Sequence, residues 1–182
     1  AIDASEEEAT QLIEWLKSYA KESINSRLMD ERRCLSPSII LDFGNQGLLG
    51  MQVPQQYDGL GLNNRSMLRV IEQLGAIDPT LALFVGLNNV LGIRPILNHA
   101  QPALKEQLLP KLATGRELAA FALTESGAGS HPFGISAKAT PTGNGWQLQG
   151  EKIWSGSAAW AGVTNVFVQQ VDEIGTPIGI SA

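Results

Sequence analysis

Between Phe121 and Ser130 the chain passes from an apolar, strand-like run into a turn dense in glycine and hydroxyl side chains, Thr124-Glu125-Ser126-Gly127-Ala128-Gly129-Ser130. Such a turn lets backbone come close to a ligand, because glycine carries no Cβ and Ser and Thr bond locally. Successive N–H groups, joined by the hydroxyls of Thr124 and Ser130, form a concavity that suits an anion. Trp154 adds a flat apolar wall from a separate point of the chain. The chemistry these residue types support is the holding of a ligand. Glu125 reads as a carboxylate that accepts backbone amides and holds the turn, in preference to a catalytic group. With His99 and His131 as the two histidines and Cys34 as the one cysteine, neither a metal-ligand cluster nor a cysteine–histidine pair has a recognisable spacing, so no metal is expected.

Strands must position these groups. Phe121 to Thr124 is the first. Ile135 to Thr140 and Trp146 to Gln149 alternate, and with Pro141 to Gly145 between them they read as a hairpin. Lys152 to Trp154 is expected as a third strand, so that strand ends carrying Thr124, Ser130 and Trp154 converge on one ligand. Val163 to Val171 and Ile178 to Ile180 complete the set. Trp146 is expected to be a packed strand residue, and Phe121 a strand-core residue that also lines the site.

Upstream of Gly115 the period is helical. Asp3 or Ser5 can cap a helix whose first turn holds Glu6, Glu7 and Glu8, where carboxylates meet the positive end of the helix dipole. Its apolar stripe is Leu12, Ile13, Leu16, Ala20 and Ile24. Ser36-Pro37 opens a second helix that Gly47 ends. An ordered loop over 48–64 is pinned by Tyr57 and Leu60. Met67, Val70, Ile71 and Leu74 mark a helix that stops at Gly75, and Asp78-Pro79 starts another. From Thr80 to Asn98 apolar residues lie on most faces, as in a central helix. The last helix starts at Gln101-Pro102, with Leu104, Leu108 and Leu112 on one side, and Pro110 distorts its final turn. The expectation is an α+β chain with a helical domain at 1–116 and part of a β domain at 117–182.

A hydrophobic fraction of 43% against 17% charged residues suits a globular core and not a disordered chain. A net charge of −5 without any basic run argues against a nucleic-acid surface. The single cysteine cannot close an internal disulfide, and the acidic start is unlike a signal peptide, so a cytoplasmic protein is expected. Leu81 to Ile96 falls short of a bilayer span and is interrupted by Gly86, Asn88, Asn89 and Arg94, which excludes a membrane span on this reading.

Three stretches carry a family resemblance. Phe121, Thr124, Glu125, Ala128, Gly129 and Ser130, followed by Gly150, Lys152 and Trp154, resemble the flavin-contacting region of the acyl-CoA dehydrogenases. Val53-Pro54-Gln55-Gln56-Tyr57-Asp58-Gly59-Leu60-Gly61 resembles the family's Val-Pro-x-x-Tyr-Gly-Gly-Leu-Gly loop. Leu109-Pro110-Lys111-Leu112-Ala113-Thr114-Gly115 resembles its Leu-Pro-x-Leu-Ala-x-Gly turn. The resemblance implies FAD as cofactor, a β-barrel-like middle domain of which this chain holds the first part, and a C-terminal helical bundle that this chain lacks. It implies flavin contacts at Phe121, Leu123, Thr124, Gly129, Ser130, Trp154, Ser155 and Gly156, with Ser130 also near the thioester ligand.

The implied reaction is α,β-dehydrogenation of an acyl thioester carried on CoA or on an acyl-carrier protein, with hydride passing to FAD. An electron-accepting flavoprotein is the implied partner, and a homo-oligomer the implied state of the complete protein. The family's catalytic carboxylate belongs to the C-terminal bundle, so no residue here is assigned as base. Oxidase and hydroxylase chemistry in the same fold stay open, as does a non-catalytic scaffold that binds a partner or acyl chain without flavin. Two positions depart from the family pattern. His131 stands where Asp is usual, and Trp154-Ser155-Gly156 replaces Trp-Ile-Thr, so the hydroxyl that meets flavin N5 in relatives has no counterpart at Gly156. Ser155 and Ser157 are the candidates to replace it.

Overall fold

The structure, a computed structural model, describes residues 4–182; Asp3, one of the two candidate caps, lies outside them. The chain divides into two compact units, one ending at Ala119 and one spanning Ala120–Ala182.

The first unit is helical. Helix α1 (Ala4–Ser23) buries Ala9, Leu12 and Leu16 and packs on α4 (Asn64–Ile77), which buries Met67, Val70 and Leu74. Of the glutamates at its start, Glu6 pairs with Arg65 at 3.5 Å on the surface, a contact worth under about 1 kcal/mol. Ser5 Oγ accepts a hydrogen bond from Asn63 N at 3.0 Å. A short helix, α2 (Ser26–Arg32), was not expected from periodicity because it buries nothing; Asn25 caps it by accepting from Leu28 N. Helix α3 (Pro37–Asn45) has proline in its first turn as expected, but the Ser36 side chain does not cap it and bonds Ser38 Oγ instead. Gly47 follows at φ +76, the left-handed conformation that ends the run. The 48–64 loop is tied down by Tyr57, whose hydroxyl donates to Glu106 at 3.2 Å, and by Leu60, which fills the space beside Gly47.

Helix α4 runs through Gly75 to Ile77, beyond the expected stop, because Asp78 rather than glycine supplies the break. Asp78 Oδ1 accepts from Thr80 N at 2.8 Å and Leu81 N at 3.2 Å, capping α5 (Pro79–Leu87). Replacing Asp78 with Ala should cost about 1–2 kcal/mol, read as a lowered urea midpoint, because two amides lose their partner at a buried position.

A π-helical turn, Asn88–Ile93, and α6 (Arg94–His99) continue α5 without a break. The resulting 21-residue run corrects the expectation of a segment too short to span a bilayer: by length and composition it is long and apolar enough. Its two buried asparagines show what it does here. Asn88 Nδ2 donates to Leu49 O at 2.9 Å while its Oδ1 accepts from Ala119 N at 3.0 Å; Asn89 Nδ2 donates to Leu48 O and Val85 O, and its Oδ1 accepts from Met51 N. The run is thereby stapled to the 48–51 loop as a core helix. Helix α7 (Pro102–Ala113) buries Leu112 as expected, together with Leu109 and Ala113, but leaves Leu108 half-buried and Leu104 exposed, so the core side covers only the later part of the expected stripe. It also passes through Pro110, whose carbonyl receives the Thr114 hydroxyl at 2.8 Å.

The second unit holds two sheets. Strand β1 (Ala119–Ala122) pairs with β4 (Val163–Val166). The other sheet has the order β3-β2-β5-β6, built from β2 (Lys138–Thr142), β3 (Gly145–Gln149), β5 (Val168–Val171) and β6 (Pro177–Ser181). The hairpin forms with Thr142 opposite Gly145, a tighter turn than the five residues expected, and its first strand begins at Lys138 instead of Ile135. Strand β2 pairs in parallel with β5. Val163 to Val171 is not one strand: Phe167 N donates to Ala122 O at 3.0 Å, and the chain changes sheet there. Trp146 is 53% exposed and not packed as expected.

Candidate functional site

Leaving β1, the chain places Leu123 and Thr124 beside residues 152–153, although 152–154 form no regular strand. Ile153 N donates to Thr124 O at 2.9 Å, and Lys152 Nζ donates to Leu123 O at 3.0 Å. The 123–124 and 152–153 segments are therefore joined by irregular backbone and one side chain, not by a sheet ladder.

Glu125 closes its own turn through a reciprocal pair of backbone bonds with Ala128, both 3.1 Å. Its carboxylate does more than hold that turn. One oxygen accepts from Ser136 N and Ser136 Oγ, each at 2.6 Å; the other accepts from Ala137 N at 2.9 Å and from Lys152 Nζ at 2.7 Å. Burial alone would raise this carboxyl, but the Lys152 ammonium, the Ser136 hydroxyl and the two amides outweigh it and pull it down to about 2. A carboxylate so satisfied stays ionised at neutral pH and fastens segments; it does not shuttle protons. Lys152 and Ser136 are the residues that reading the sequence for roles missed. The alternation Gly150-x-Lys152-x-Trp154 was visible, but the lysine's partner lies 27 residues upstream.

Gly150 has φ +148, and a Cβ there would lie 2.4 Å from Ala137 Cβ. It is glycine because Ala137, whose amide reaches Glu125, passes against it. Trp154 follows at φ +59, an outlier for a bulky side chain, with its indole 88% exposed. A Cβ added to Gly127 or Gly129 would meet nothing within 4 Å. Packing within the protein thus does not require glycine in this turn.

The remaining expected residues fall as follows. Phe121 is half-buried and meets Phe167 with ring centroids 4.7 Å apart and the rings tilted by 47°. Gly129, Ser130, His131 and Gly156 are exposed. Ser155 carries a buried hydroxyl that has no hydrogen-bond partner in the protein. Hydrogen bonds join Leu123 and Thr124 to the 152–153 segment next to Trp154, whereas Ser130 takes its place only through the turn it ends. Among the described residues, no group of His, Cys, Asp and Glu is placed to hold a metal ion. A depression of about 320 Å3 in the helical unit, lined by Leu41, Gly44, Asn45, Thr114, Gly115 and Arg116, contains none of the expected site residues.

Comparison with known proteins places both units. The family described as acyl-CoA dehydrogenase, N-terminal domain, matches residues 6–116, and the one described as acyl-CoA dehydrogenase, middle domain, matches residues 120–181. The mitochondrial very long-chain specific acyl-CoA dehydrogenase of Macaca fascicularis is 32% identical over 161 residues, 87% of this chain and 25% of that protein. The chain thus spans about a quarter of that relative's length. Among solved structures, an acyl-CoA dehydrogenase complexed with FAD from Bacillus anthracis superposes with a TM-score of 0.82 at 30% identity, covering 93% of this chain and 29% of that one. A glutaryl-CoA dehydrogenase from Mycobacterium smegmatis in complex with FADH2 gives 0.82 at 27% identity, covering 89% of this chain and 42% of that one.

Proposed function

This chain belongs to the acyl-CoA dehydrogenase family, and we propose that its second unit contributes the flavin site of an enzyme that dehydrogenates acyl thioesters. The observation that carries this reading is Trp154: a large indole held at φ +59 and 88% exposed, beside a glycine-rich turn whose Gly127 and Gly129 face open space. Exposure of that much apolar ring costs solvation unless a ligand covers it.

The donor set fits FAD. Backbone N–H groups and hydroxyls at Thr124, Gly129 and Ser130 suit its pyrimidine edge and phosphates. Trp154 suits its ring, and Phe121, Leu123, Ser155 and Gly156 are the further residues that would line it. The unpartnered Ser155 hydroxyl is a polar group with bonding capacity to spare. When bound, FAD supplies the acceptor for a hydride leaving the β carbon of the acyl group. The chain's own part is to bind and orient the flavin and to keep water from its ring. Ser130 contributes to the thioester ligand's end of the site. The α proton requires a base from outside these residues, and electrons then pass to an electron-accepting flavoprotein. CoA and acyl-carrier protein both remain carriers consistent with this site.

The experiment is reconstitution. The protein that carries this chain should retain FAD and show visible flavin absorbance that bleaches on adding acyl-CoA. Trp154→Ala should weaken FAD binding about tenfold, since an aromatic stacking contact contributes up to about 1.5 kcal/mol. Gly156, which offers no side-chain hydroxyl, favours one second reading: a scaffold that binds an acyl chain or partner without flavin. A colourless protein that cannot be reconstituted would decide for it.

A further inference from the structure

We propose that Glu125 and Lys152 are positioning residues that together set the pose of the Trp154 indole relative to the Thr124 backbone; the role rests on the flavin reading above.

Four links form a closed circuit. Glu125 binds Ser136 and Ala137 through their amides. Ala137 lies against Gly150, which leaves no room for a Cβ. Two residues on, Lys152 returns to Glu125 at 2.7 Å and at the same time reaches Leu123 O at 3.0 Å. Ile153 N then bonds Thr124 O at 2.9 Å, and the next residue is Trp154. The indole thus follows two anchored residues, Lys152 held through its side chain and Ile153 through its amide.

The pair is an expensive fastener if stability were its only purpose. Both side chains are almost enclosed, 6% exposed for Glu125 and 11% for Lys152, and apolar residues of similar size commonly stabilise a fold as well or better. What an ionic pair with directed hydrogen bonds adds is registry. Lys152 joins a carbonyl and a carboxylate that belong to successive parts of the ligand turn, so the 152–154 segment has one placement against that turn. Trp154 needs such restraint, because its exposed ring gains little packing within the unit and its left-handed backbone is otherwise unfavourable.

The test uses the protein that carries this chain, labelled with 5-fluorotryptophan, with the Trp154 resonance identified by its loss in Trp154→Ala. Lys152→Met removes the link. Glu125→Asp keeps the charge, and with it the fold, while withdrawing the carboxylate by one methylene. Both variants should shift or broaden the Trp154 fluorine resonance without any ligand present. Each should also weaken FAD binding about tenfold, and each combined with Trp154→Ala should lose little more than Trp154→Ala alone, since residues acting through one another are not additive. A Trp154 resonance unchanged in both variants, or losses that multiply to about a hundredfold in the double variants, would overturn the proposal. Wild-type protein that binds no FAD while the variants still move the Trp154 resonance would overturn the flavin reading and leave the positioning role standing.

Discussion

Replacing Asn89 with Leu should destabilise the helical unit by about 3–5 kcal/mol, although leucine is the more apolar residue and the site is 3% exposed. The side chain serves three backbone groups at 2.9 Å: it accepts from Met51 N and donates to Leu48 O and Val85 O. Leu48 and Met51 are themselves fully buried, so water cannot take over. Each orphaned buried group costs about 1–3 kcal/mol, and the gain from burying a leucine offsets only part of the sum. In urea, with a slope of about 2 kcal/mol per molar, the midpoint should fall by roughly 2 M. Leu83→Asn on the exposed side of the same helical run provides the contrast and should cost about 0.5 kcal/mol or less. Equal costs for the two would mean that Asn89 is not a staple.

That asparagine pair marks a limit of what the sequence discloses. Within an apolar stretch, Asn88 and Asn89 read as interruptions, since periodicity registers polarity and not the partner a polar group will find. The partner is a loop about 40 positions away, and the π-helical turn that brings both amides to bear has no propensity signature. Features set by local chemistry were legible. Proline in the first turns at Pro37, Pro79 and Pro102, the Asp78 cap, the break at Gly47 and the antiparallel hairpin all follow from residues near one another. Features set by tertiary neighbours were not. Gly75 continues its helix because a single glycine costs only about 1 kcal/mol there. Val166-Phe167-Val168 is one apolar run in the sequence, yet the chain exchanges one sheet for another within it. Trp146 has the character of a core residue but lacks a neighbour to cover it. At the candidate site, the residue types and spacing of the glycine-rich turn and of Trp154 were legible. Their physical connection was not, because it depends on a lysine whose role appears only once Glu125 is beside it.

Glu125→Gln should lower stability by about 3–5 kcal/mol near neutral pH, and the gap from wild type should close as the solution is acidified. The amide is nearly isosteric but carries no charge, so it leaves the Lys152 ammonium, 11% exposed, without a counter-ion. Its NH2 group must also face one of the donors that the carboxylate satisfies, the Ser136 hydroxyl and amide, the Ala137 amide or Lys152 itself. The sign of the pH effect follows from the carboxyl's depression from 4.5 to about 2 in the folded protein. Above the unfolded value both states are ionised and the stabilisation is fully present. Between 4.5 and about 2 the unfolded chain takes up the proton first, so stability is lost as pH falls, by about 3 kcal/mol in all. Near the lower value wild-type Glu125 is itself becoming neutral, like Gln. Other carboxylates titrate over the same range, but they are common to both proteins and cancel in the difference. Tryptophan fluorescence follows the relevant unit once Trp15, which lies in the helical unit, is replaced with Phe in both proteins, because Trp146, Trp154 and Trp160 all lie in the second unit. Urea midpoints measured in steps from neutral pH to about 2 should therefore converge for wild type and Glu125→Gln. A gap that stays constant across that range would mean that the buried carboxylate's charge contributes nothing and that the loss comes only from the amide NH2 facing the donors around it.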